Sequence, residues 1–243
     1  MSYKSVFRRY ELKYLLTEAQ RDFVLLAMAD HMRLDSYGHT TIRNVYYDTD
    51  NYRLIRRSIE KPSYKEKLRI RSYSLADRDS TVFVELKKKY NRVVYKRRIA
   101  LPEAIATDWL SGSTEAPCDT QISREIDYFK SYYEGLHPTM FLSYERDAYY
   151  DINGGDFRVT FDTNILARQT DISLCTDVYG TSILPKDRIL MELKCPGAIP
   201  LWMVKALSEG EIYKTPFSKY GRAYIDMVLP TFNNKLKEIH INA

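Results

Sequence analysis

The sequence predicts an α+β protein in which eight antiparallel strands close into a β-barrel, a tunnel with a basic lumen and with helices packed on its outside. Three observations support this fold class. Several segments alternate charged and apolar residues with the period of two that strands require. Many of the charged faces are dominated by cations. Turn residues between some of these segments favour hairpins.

Length and charge bound the organisation of the chain. We expect a single domain over residues 1–243, with a peripheral tail at 230–243, because no linker rich in Pro, Gly or Ser divides the sequence. The net charge is only +5, from 37 Lys and Arg against 32 Asp and Glu. The basic character therefore depends on how the cations are arranged more than on their number.

Cysteine spacing and hydropathy exclude other classes of protein. The 3 cysteines lack the spacing of a zinc site or a disulfide framework, which fits a reducing compartment. The longest apolar run, Phe23 to Ala29, is far shorter than the roughly 20 residues of a membrane span, and the amino terminus lacks an apolar signal region. We therefore expect a cytoplasmic protein without a membrane segment.

The segment Tyr64–Tyr73 carries the strongest signal. Its alternation places four cations on one face of a strand, and these are Lys65, Lys67, Arg69 and Arg71. Like charges side by side on a strand repel one another. A row of a single sign therefore indicates a bound anion.

The other strands follow from the same alternation. Turns at Asn91 and at Asn153-Gly154-Gly155 join neighbouring segments as hairpins, so Glu85 and Lys96 are expected on one surface. The predicted strands, in chain order, are Phe7–Leu15, Arg43–Asp48, Tyr64–Tyr73, Thr81–Tyr90, Arg92–Leu101, Thr139–Tyr150, Phe157–Asp162 and Arg188–Cys195.

Helices are predicted from capping residues and from apolar residues at helical spacing. Thr17 and Gln20 form a capping box, Pro62 ends a short basic helix, and Thr215 is the expected cap of a last helix with Pro216 at its first position. The predicted helices are Thr17 to about Asp30, Asn51–Lys61, Pro102–Leu110, Ile122–Tyr133, Pro200–Leu207 and Pro216–Val228.

The charged faces together predict the tunnel lining. A flat sheet with its charged faces in water explains any one strand, but it does not explain so many faces of one sign. Two charges 4 Å apart interact by roughly 4 kcal/mol at an effective dielectric constant near 20, so these cations need a polyanion, counter-ions or glutamates among them. The predicted lining is Lys13, Lys67, Arg69, Arg71, Lys87, Lys96, Arg98, Arg146, Arg158 and Lys194, with Glu11, Glu85 and Glu192.

Six segments in order resemble the motif series of the triphosphate tunnel metalloenzymes. Within that superfamily they are most similar to the catalytic domain of the vacuolar transporter chaperone, a polyphosphate polymerase. The first motif has Arg9 where the triphosphatase and class IV cyclase branch typically has Glu. The six segments are Arg9-Tyr-Glu-Leu-Lys13, Lys67-Leu-Arg-Ile-Arg71, Val84-Glu-Leu-Lys87, Tyr144-Glu-Arg-Asp147, Met191-Glu-Leu-Lys194 and Phe217-Ser-Lys-Tyr220.

This resemblance implies a site for a nucleoside triphosphate and a divalent metal. The positions that match phosphate-binding residues are Lys13, Arg69, Arg71, Lys87, Lys96, Arg146, Arg158 and Lys219. Arg98 and Lys194 lie near motif positions. Lys67 and Ser218 complete the expected substrate site, Lys67 from the cationic row and Ser218 from the start of the last helix, where free N–H groups favour an anion. Glu192 matches the metal-binding glutamate, and Glu11 is the second expected ligand of Mn²⁺ or Mg²⁺.

The expected function is metal-dependent transfer of the ATP γ-phosphate to a polyphosphate chain, and the expected partners are ATP and polyphosphate or pyrophosphate. In this assignment Arg69, Arg71, Lys87, Arg146, Arg158 and Lys219 are the catalytic residues. Two alternatives remain open: a tripolyphosphatase or nucleoside triphosphatase of the same tunnel fold, and a non-catalytic module that binds polyanions. Nucleic acid is not an expected partner, because the charged faces are nearly free of the aromatic residues on which bases stack.

Overall fold

A computed structural model describes residues 6–91 and 93–232 of the chain. Its strands are β1 (Val6–Leu16), β2 (Met32–Asp48), β3 (Tyr64–Ser72), β4 (Thr81–Tyr90), β5 (Val93–Pro102), β6 (His137–Asp151), β7 (Arg158–Arg168), β8 (Thr181–Ser182) and β9 (Ile189–Cys195). Its helices are α1 (Glu18–Met28), α2 (Arg53–Ile59), α3 (Glu103–Ser111), α4 (Gln121–Tyr132), α5 (Leu201–Glu209) and α6 (Lys219–Ala223).

The long strands form a closed antiparallel ring. Their order is β6-β2-β3-β4-β5-β1-β9-β7, and pairing of β6 with β7 closes it. The eight predicted strands are these eight, so the predicted closed antiparallel sheet is confirmed. The two-residue strand β8, which the sequence did not indicate, pairs with the far end of β7. The ring encloses a space that we call the tunnel.

Two strands, β2 and β7, extend much further than their alternation predicted. Strand β2 begins at Met32 instead of Arg43, because its first half pairs with β6 while most of its side chains remain at the surface. Strand β7 continues past Asp162 to Arg168. Asn164 has a positive φ of 46° there and the pairing with β6 shifts register, so the period of two is interrupted at the point where the predicted strand stopped.

The outer faces of the strands are covered in two apolar clusters. In the first, β2, β3 and β4 pack against α3 and α4, and Trp109 is fully buried. In the second, β1, β7 and β9 pack against α1 and α5 around Met203. Leu68 and Ile70 of β3 belong to the first cluster, which leaves Lys67, Arg69 and Arg71 facing inward, as the alternation predicted.

Part of the tunnel is filled by α6 and the turn that follows it. Inward-facing apolar residues of β2, β6, β7 and β9 form a third cluster with α6 and with the π-helical turn Tyr224–Val228 that follows it. The ring of Tyr220 stacks on that of Tyr46, with centroids 4.6 Å apart. Helical conformation continues through 229–232, so the predicted peripheral tail begins inside a helix, and its residues 233–243 lie outside the described part of the chain, as does Arg92.

The predicted start of the last helix is wrong. The backbone N–H of Thr215 donates to the carbonyl of Lys13 at 2.7 Å, because this segment runs beside β1. Ser218 is the cap instead, and its hydroxyl accepts a hydrogen bond from the N–H of Gly221 at 3.1 Å. Lys219 is consequently the first residue of α6. Within residues 6–91 and 93–232, none of the helices combines the length and apolar content that a membrane span requires.

A buried carboxylate holds the junction between β2, α2 and α6. Asp48 is fully buried, and it accepts hydrogen bonds from the N–H groups of Leu54 and Ile55 and from the hydroxyl of Tyr220, at 2.9, 3.0 and 3.0 Å. Burial raises the pKa of Asp48 above its usual value, although these donors favour the charged form. The carboxylate therefore fixes both α2 and the first turn of α6 against the ring.

We expect Asp48→Ala to lower the free energy of unfolding by about 2–4 kcal/mol, because it leaves buried N–H donors without an acceptor. The measurement is urea denaturation followed by circular dichroism. Asp50→Ala is the matched control, since the Asp50 side chain is 98% exposed. Equal stabilities of the two variants would contradict this role of Asp48.

Candidate functional site

The inward faces of the strands bring most of the predicted lining residues into one enclosed space. Their side chains are joined by the hydrogen bonds and ion pairs described below, and these link strands that are distant in sequence. The residues so linked are Glu11, Lys13, Lys67, Arg69, Arg71, Glu85, Lys87, Lys96, Arg146, Glu192, Lys194, Ser218 and Lys219.

The first cluster is centred on Glu85 of β4, which is 0% exposed. Its Oε2 accepts two hydrogen bonds from the guanidinium of Arg69, at 2.7 and 2.9 Å, and its Oε1 accepts one from Lys96 at 2.9 Å. Arg71 Nη1 lies 3.8 Å from Oε2. Register explains the arrangement, since Arg69 lies directly opposite Glu85 on the neighbouring strand. One carboxylate thus holds three cations in place.

Tyrosine and asparagine side chains complete the hold on the two arginines. Arg69 Nη1 donates to the hydroxyl of Tyr46 at 2.8 Å. Arg71 donates to Asn44 Oδ1 at 2.9 Å and to the hydroxyl of Tyr144 at 3.0 Å. Burial raises the pKa of a tyrosine, but Arg146, Arg71 and Lys219 together lower the pKa of Tyr144 below its usual value. The surroundings of Tyr144 are thus strongly positive.

The second cluster is centred on Asp162 of β7, which is also 0% exposed. Arg146 binds both of its oxygens, at 2.6 and 2.7 Å, in a bidentate pair. Lys219 donates to Oδ2 from the start of α6 at 2.5 Å. Burial raises the pKa of Asp162, but Arg146 and Lys219 outweigh it and lower the value to about 2.

The third cluster joins β1 and β9. Glu192 lies 2.8 Å from the ammonium of Lys194 and 3.4 Å from that of Lys13, while Glu11 accepts a hydrogen bond from Lys87 at 2.6 Å. Burial raises the pKa of Glu11, but Lys87 is the strongest of the opposing effects and the value falls to about 2. The pKa of Glu192 is likewise held well below its usual range, by Lys194 and Lys13 against the effect of burial. Both carboxylates are therefore ionised.

Lys67 has a neutral hydrogen-bond partner among the described residues, whereas the neighbouring cations contact carboxylates. Its ammonium donates to Ser218 Oγ at 2.8 Å. Burial and the nearby ammonium groups of Lys13 and Lys87 lower the pKa of Lys67 well below its usual value. Lys13 also donates to the carbonyl of Phe217 at 2.8 Å, so the chain just before α6 is bound from both sides.

Two lysines of the tunnel titrate near neutrality. Burial lowers the pKa of Lys96 to about 7, although Glu85 partly opposes the shift. Burial lowers the pKa of Lys194 to about 7 in the same way, against the effect of Glu192. Both lysines are thus charged mainly below pH 7 in the protein without ligand.

Two predicted residues lie toward one end of the ring. Arg158 begins β7 on the inward face, but its side chain is exposed at the end of the ring, so it lies outside the buried clusters. Arg98 lies opposite Glu85, and its guanidinium stands over the ring of Phe83 at 4.8 Å from the centroid. Arg158 and Arg98 thus flank the end of the tunnel near the start of β7 and the end of β5.

Sequence reasoning missed four residues of this site. Asp162 shares a predicted face with Arg158, and the alternation of that strand was the signal that could have identified it. Asn44, Tyr46 and Tyr144 are not charged, and their places beside Arg69 and Arg71 depend on pairing across strands that the sequence does not specify.

Glu11 and Glu192 fit a hard divalent cation. Glu11 is opposite Lys194 and Glu192 is opposite Lys13, so the two carboxylates are diagonal neighbours across β1 and β9. Mg²⁺ typically takes one or two carboxylates together with phosphate oxygens and water. In the described part of the chain no group of three or more Asp, Glu, His or Cys is suited to hold a metal. The remaining ligands would therefore come from the substrate and from water.

The sequence matches the family model of the VTC domain over residues 8–228. No curated protein matches the chain significantly in sequence. Among solved structures, a putative adenylate cyclase from Bacillus halodurans has a TM-score of 0.55 at 15% identity, covering 88% of this chain and 96% of that one. A putative adenylyl cyclase from Hippeastrum, with a dominant triphosphatase activity, has a TM-score of 0.49 at 16% identity, covering 87% and 93%. The Bacillus structure thus shares the fold of this chain.

We expect Glu85→Gln to lower the free energy of unfolding by about 3–5 kcal/mol in dilute, phosphate-free buffer, because three cations lose their common carboxylate. Urea denaturation measures the loss. Glu125→Gln is the matched control, since Glu125 contacts Lys88 and Arg97 in a partly exposed ion pair outside the tunnel, and it should cost at most about 1 kcal/mol. A loss for Glu85→Gln no larger than for this control would contradict the assigned role.

We expect binding of tripolyphosphate at pH 8 to be coupled to proton uptake. A polyanion raises the pKa of Lys96 and Lys194 from about 7, so each lysine takes up close to one proton. Calorimetric titrations in buffers of different ionisation enthalpy measure this number. Replacing both lysines by Met should lower the number of protons taken up. The difference between the wild type and this variant excludes protons that the ligand itself takes up or releases. Equal uptake by the wild type and this double variant would rule out the coupling.

Proposed function

The chain belongs to the VTC domain family, and on this basis we propose that it is a metal-dependent polyphosphate polymerase which transfers the γ-phosphate of ATP to the end of a polyphosphate chain. The observation that carries the proposal is the enclosed set of cations from separate strands. Arg69, Arg71 and Arg146 converge on the tunnel and are held there by buried carboxylates. Such a space suits a linear polyanion.

The arginines suit phosphoryl transfer. The transferred group passes through a loose transition state whose charge spreads over its oxygens, so catalysis depends on positioning and on charge stabilisation. Guanidinium groups bind two oxygens at once and stay charged at any relevant pH. Arg69, Arg71 and Arg146 are already oriented by Glu85 and Asp162, so little reorganisation is needed when phosphate arrives.

The lysines complete the proposed substrate site. Lys219 and Ser218 lie at the start of α6, where Lys219 contacts Asp162 and Ser218 contacts Lys67. Lys87 and Lys13 occupy the facing side on β4 and β1. In this proposal they bind the phosphates of the nucleotide and of the acceptor, together with Lys96 and Lys194, while Arg98 and Arg158 bind the chain at the end of the tunnel.

The reaction needs no protein nucleophile. An oxygen of the acceptor's terminal phosphate forms a bond to the γ-phosphorus of ATP. The bond between that phosphorus and the β–γ bridging oxygen breaks, and ADP leaves with the electron pair. Glu192 and Glu11 would hold Mn²⁺ or Mg²⁺, which neutralises negative charge on the phosphate oxygens when it is bound.

The main alternative is a hydrolase of the same fold, in which a carboxylate must orient or deprotonate water. The tunnel carboxylates are poorly suited to this. Glu85, Asp162, Glu192 and Glu11 each contact at least two cations, and the pKa of each carboxyl is below its usual value. A carboxylate that is so strongly stabilised is a weak base. This favours an acceptor that is already an anion.

We expect purified protein with ATP and Mn²⁺ to produce long anionic chains that run as a ladder on a gel. Arg69→Ala should lower the rate by about 10²-fold or more, because a preorganised donor to the transferred phosphate is lost. Arg124→Ala is the matched control, since Arg124 lies on α4 outside the ring and its side chain is 64% exposed. Circular dichroism verifies the fold of both variants.

The same experiment separates the alternatives. Release of orthophosphate without chains would make the protein a hydrolase. Binding of polyphosphate without turnover of ATP, and without any need for metal, would make it a non-catalytic module. Equal activity of Arg69→Ala and Arg124→Ala would show that the reaction does not take place in the tunnel.

A further inference from the structure

A second cavity lies on the opposite side of the sheet from the tunnel. It has a volume of about 360 Å³ and lies between β2, β3, α3 and the loop at 169–178. Val45, Ile70 and Leu174 form its apolar wall. Its volume is at the lower end of the range for small-molecule sites, about 300–1,000 Å³. The space suits a small metabolite and is too small for a nucleotide and a phosphate chain together.

The loop that closes the cavity is held in place by Arg168. The guanidinium of Arg168 lies between the rings of Phe141 and Tyr179, 3.6 and 4.2 Å from their centroids. It also donates to the carbonyls of Asp171 and Tyr179, at 3.1 and 3.0 Å. Arg168 itself is only 3% exposed. These contacts of Arg168 therefore fix the loop that forms this wall.

The polar groups of the cavity include a carboxylate and a guanidinium that are not paired with each other. Glu103 is 8% exposed, and one of its oxygens accepts a hydrogen bond from Thr107 at 2.9 Å. Arg78 lines the cavity from an exposed position, and no carboxylate in the described residues lies within ion-pair distance of it. An anion and a cation thus face one space with an apolar wall.

A hydroxyl of the cavity wall has no hydrogen-bond partner among the described residues. Tyr47 lines the cavity and is only 2% exposed, yet its hydroxyl makes no hydrogen bond to any described residue. Burial and the nearby Glu103 raise the pKa of Tyr47 above its usual value, so the hydroxyl is a neutral donor. Because Tyr47 lines the cavity and its hydroxyl is not taken up by a described residue, it can donate to an occupant. This hydroxyl suits a ligand that accepts a hydrogen bond.

We propose that this cavity binds a zwitterionic small molecule of amino-acid size, with its ammonium group at Glu103, its carboxylate at Arg78 and Tyr47, and its apolar part against Val45, Ile70 and Leu174. The occupant touches the backs of the strands that hold the tunnel arginines. Ile70 lies between Arg69 and Arg71 on β3. The cavity therefore shares its wall with the tunnel without opening into it.

The test is a titration of the protein, residues 1–243, with each of the twenty common amino acids. Thermal shift identifies binders, and calorimetry gives the dissociation constant, which we expect below about 1 mM for at least one of them. The corresponding amine without the carboxylate, and the acid without the amine, should bind at least 10-fold more weakly. Cys175 lines the cavity and is exposed, so a bound amino acid should slow its alkylation by N-ethylmaleimide. Cys118, outside the cavity, serves as the internal reference.

Three variants make the assignment falsifiable. Glu103→Gln and Arg78→Ala should each weaken binding at least 10-fold. Tyr47→Phe removes only a hydroxyl without a partner, so it should keep or raise the melting temperature and weaken binding several-fold. The proposal is overturned if none of the amino acids shifts the melting temperature or protects Cys175. It is also overturned if the analogues that lack one charge bind as tightly as the amino acid, or if all three variants bind the amino acid as tightly as the wild type does.

Discussion

Repulsion between cations in an enclosed space is the constraint on which this structure depends. Arginines and lysines from seven strands and from α6 face one tunnel, and in water-poor surroundings their mutual repulsion is large. Buried carboxylates offset it. Glu85 and Asp162 have no exposed surface, and each contacts at least two cations. The carboxylates keep the cationic side chains facing the tunnel, beside the space between the clusters.

This arrangement gives the tunnel its chemistry. A buried ion pair is weak evidence of stability, because removing both charges from water offsets most of their attraction. In this tunnel the ion pairs orient the cations, because a paired cation stays in a fixed place whether or not an anion is bound. Lys67 is different, because it has no carboxylate partner among the described residues. It is half-buried beside other cations and, in the part of the chain that the structure describes, contacts only Ser218 and the ring of Tyr220, so its amino group is open to an incoming phosphate.

Alternation along single strands predicted the closed sheet and most of its inward-facing charges, because side-chain direction in a strand follows sequence position directly. It did not predict what crosses between strands. Tyr46 and Asn44 are neutral, and only their register opposite Arg69 and Arg71 makes them part of the site. The predicted start of the last helix, after Thr215, comes before the observed one. The backbone N–H of Thr215 bonds to β1 instead of starting a helix, and this tertiary contact is not visible in the local sequence.

A crystal structure with tripolyphosphate and Mn²⁺ would show whether the tunnel cations bind phosphate. We expect phosphorus-bound oxygens inside the ring, within about 2.7–3.2 Å of Arg69, Arg71 and Arg146, and a metal beside Glu192 and Glu11. An anion bound only on the exterior would contradict it. So would a tunnel that stays empty at saturating tripolyphosphate, with all three arginines bound only to the side chains that hold them in the free protein.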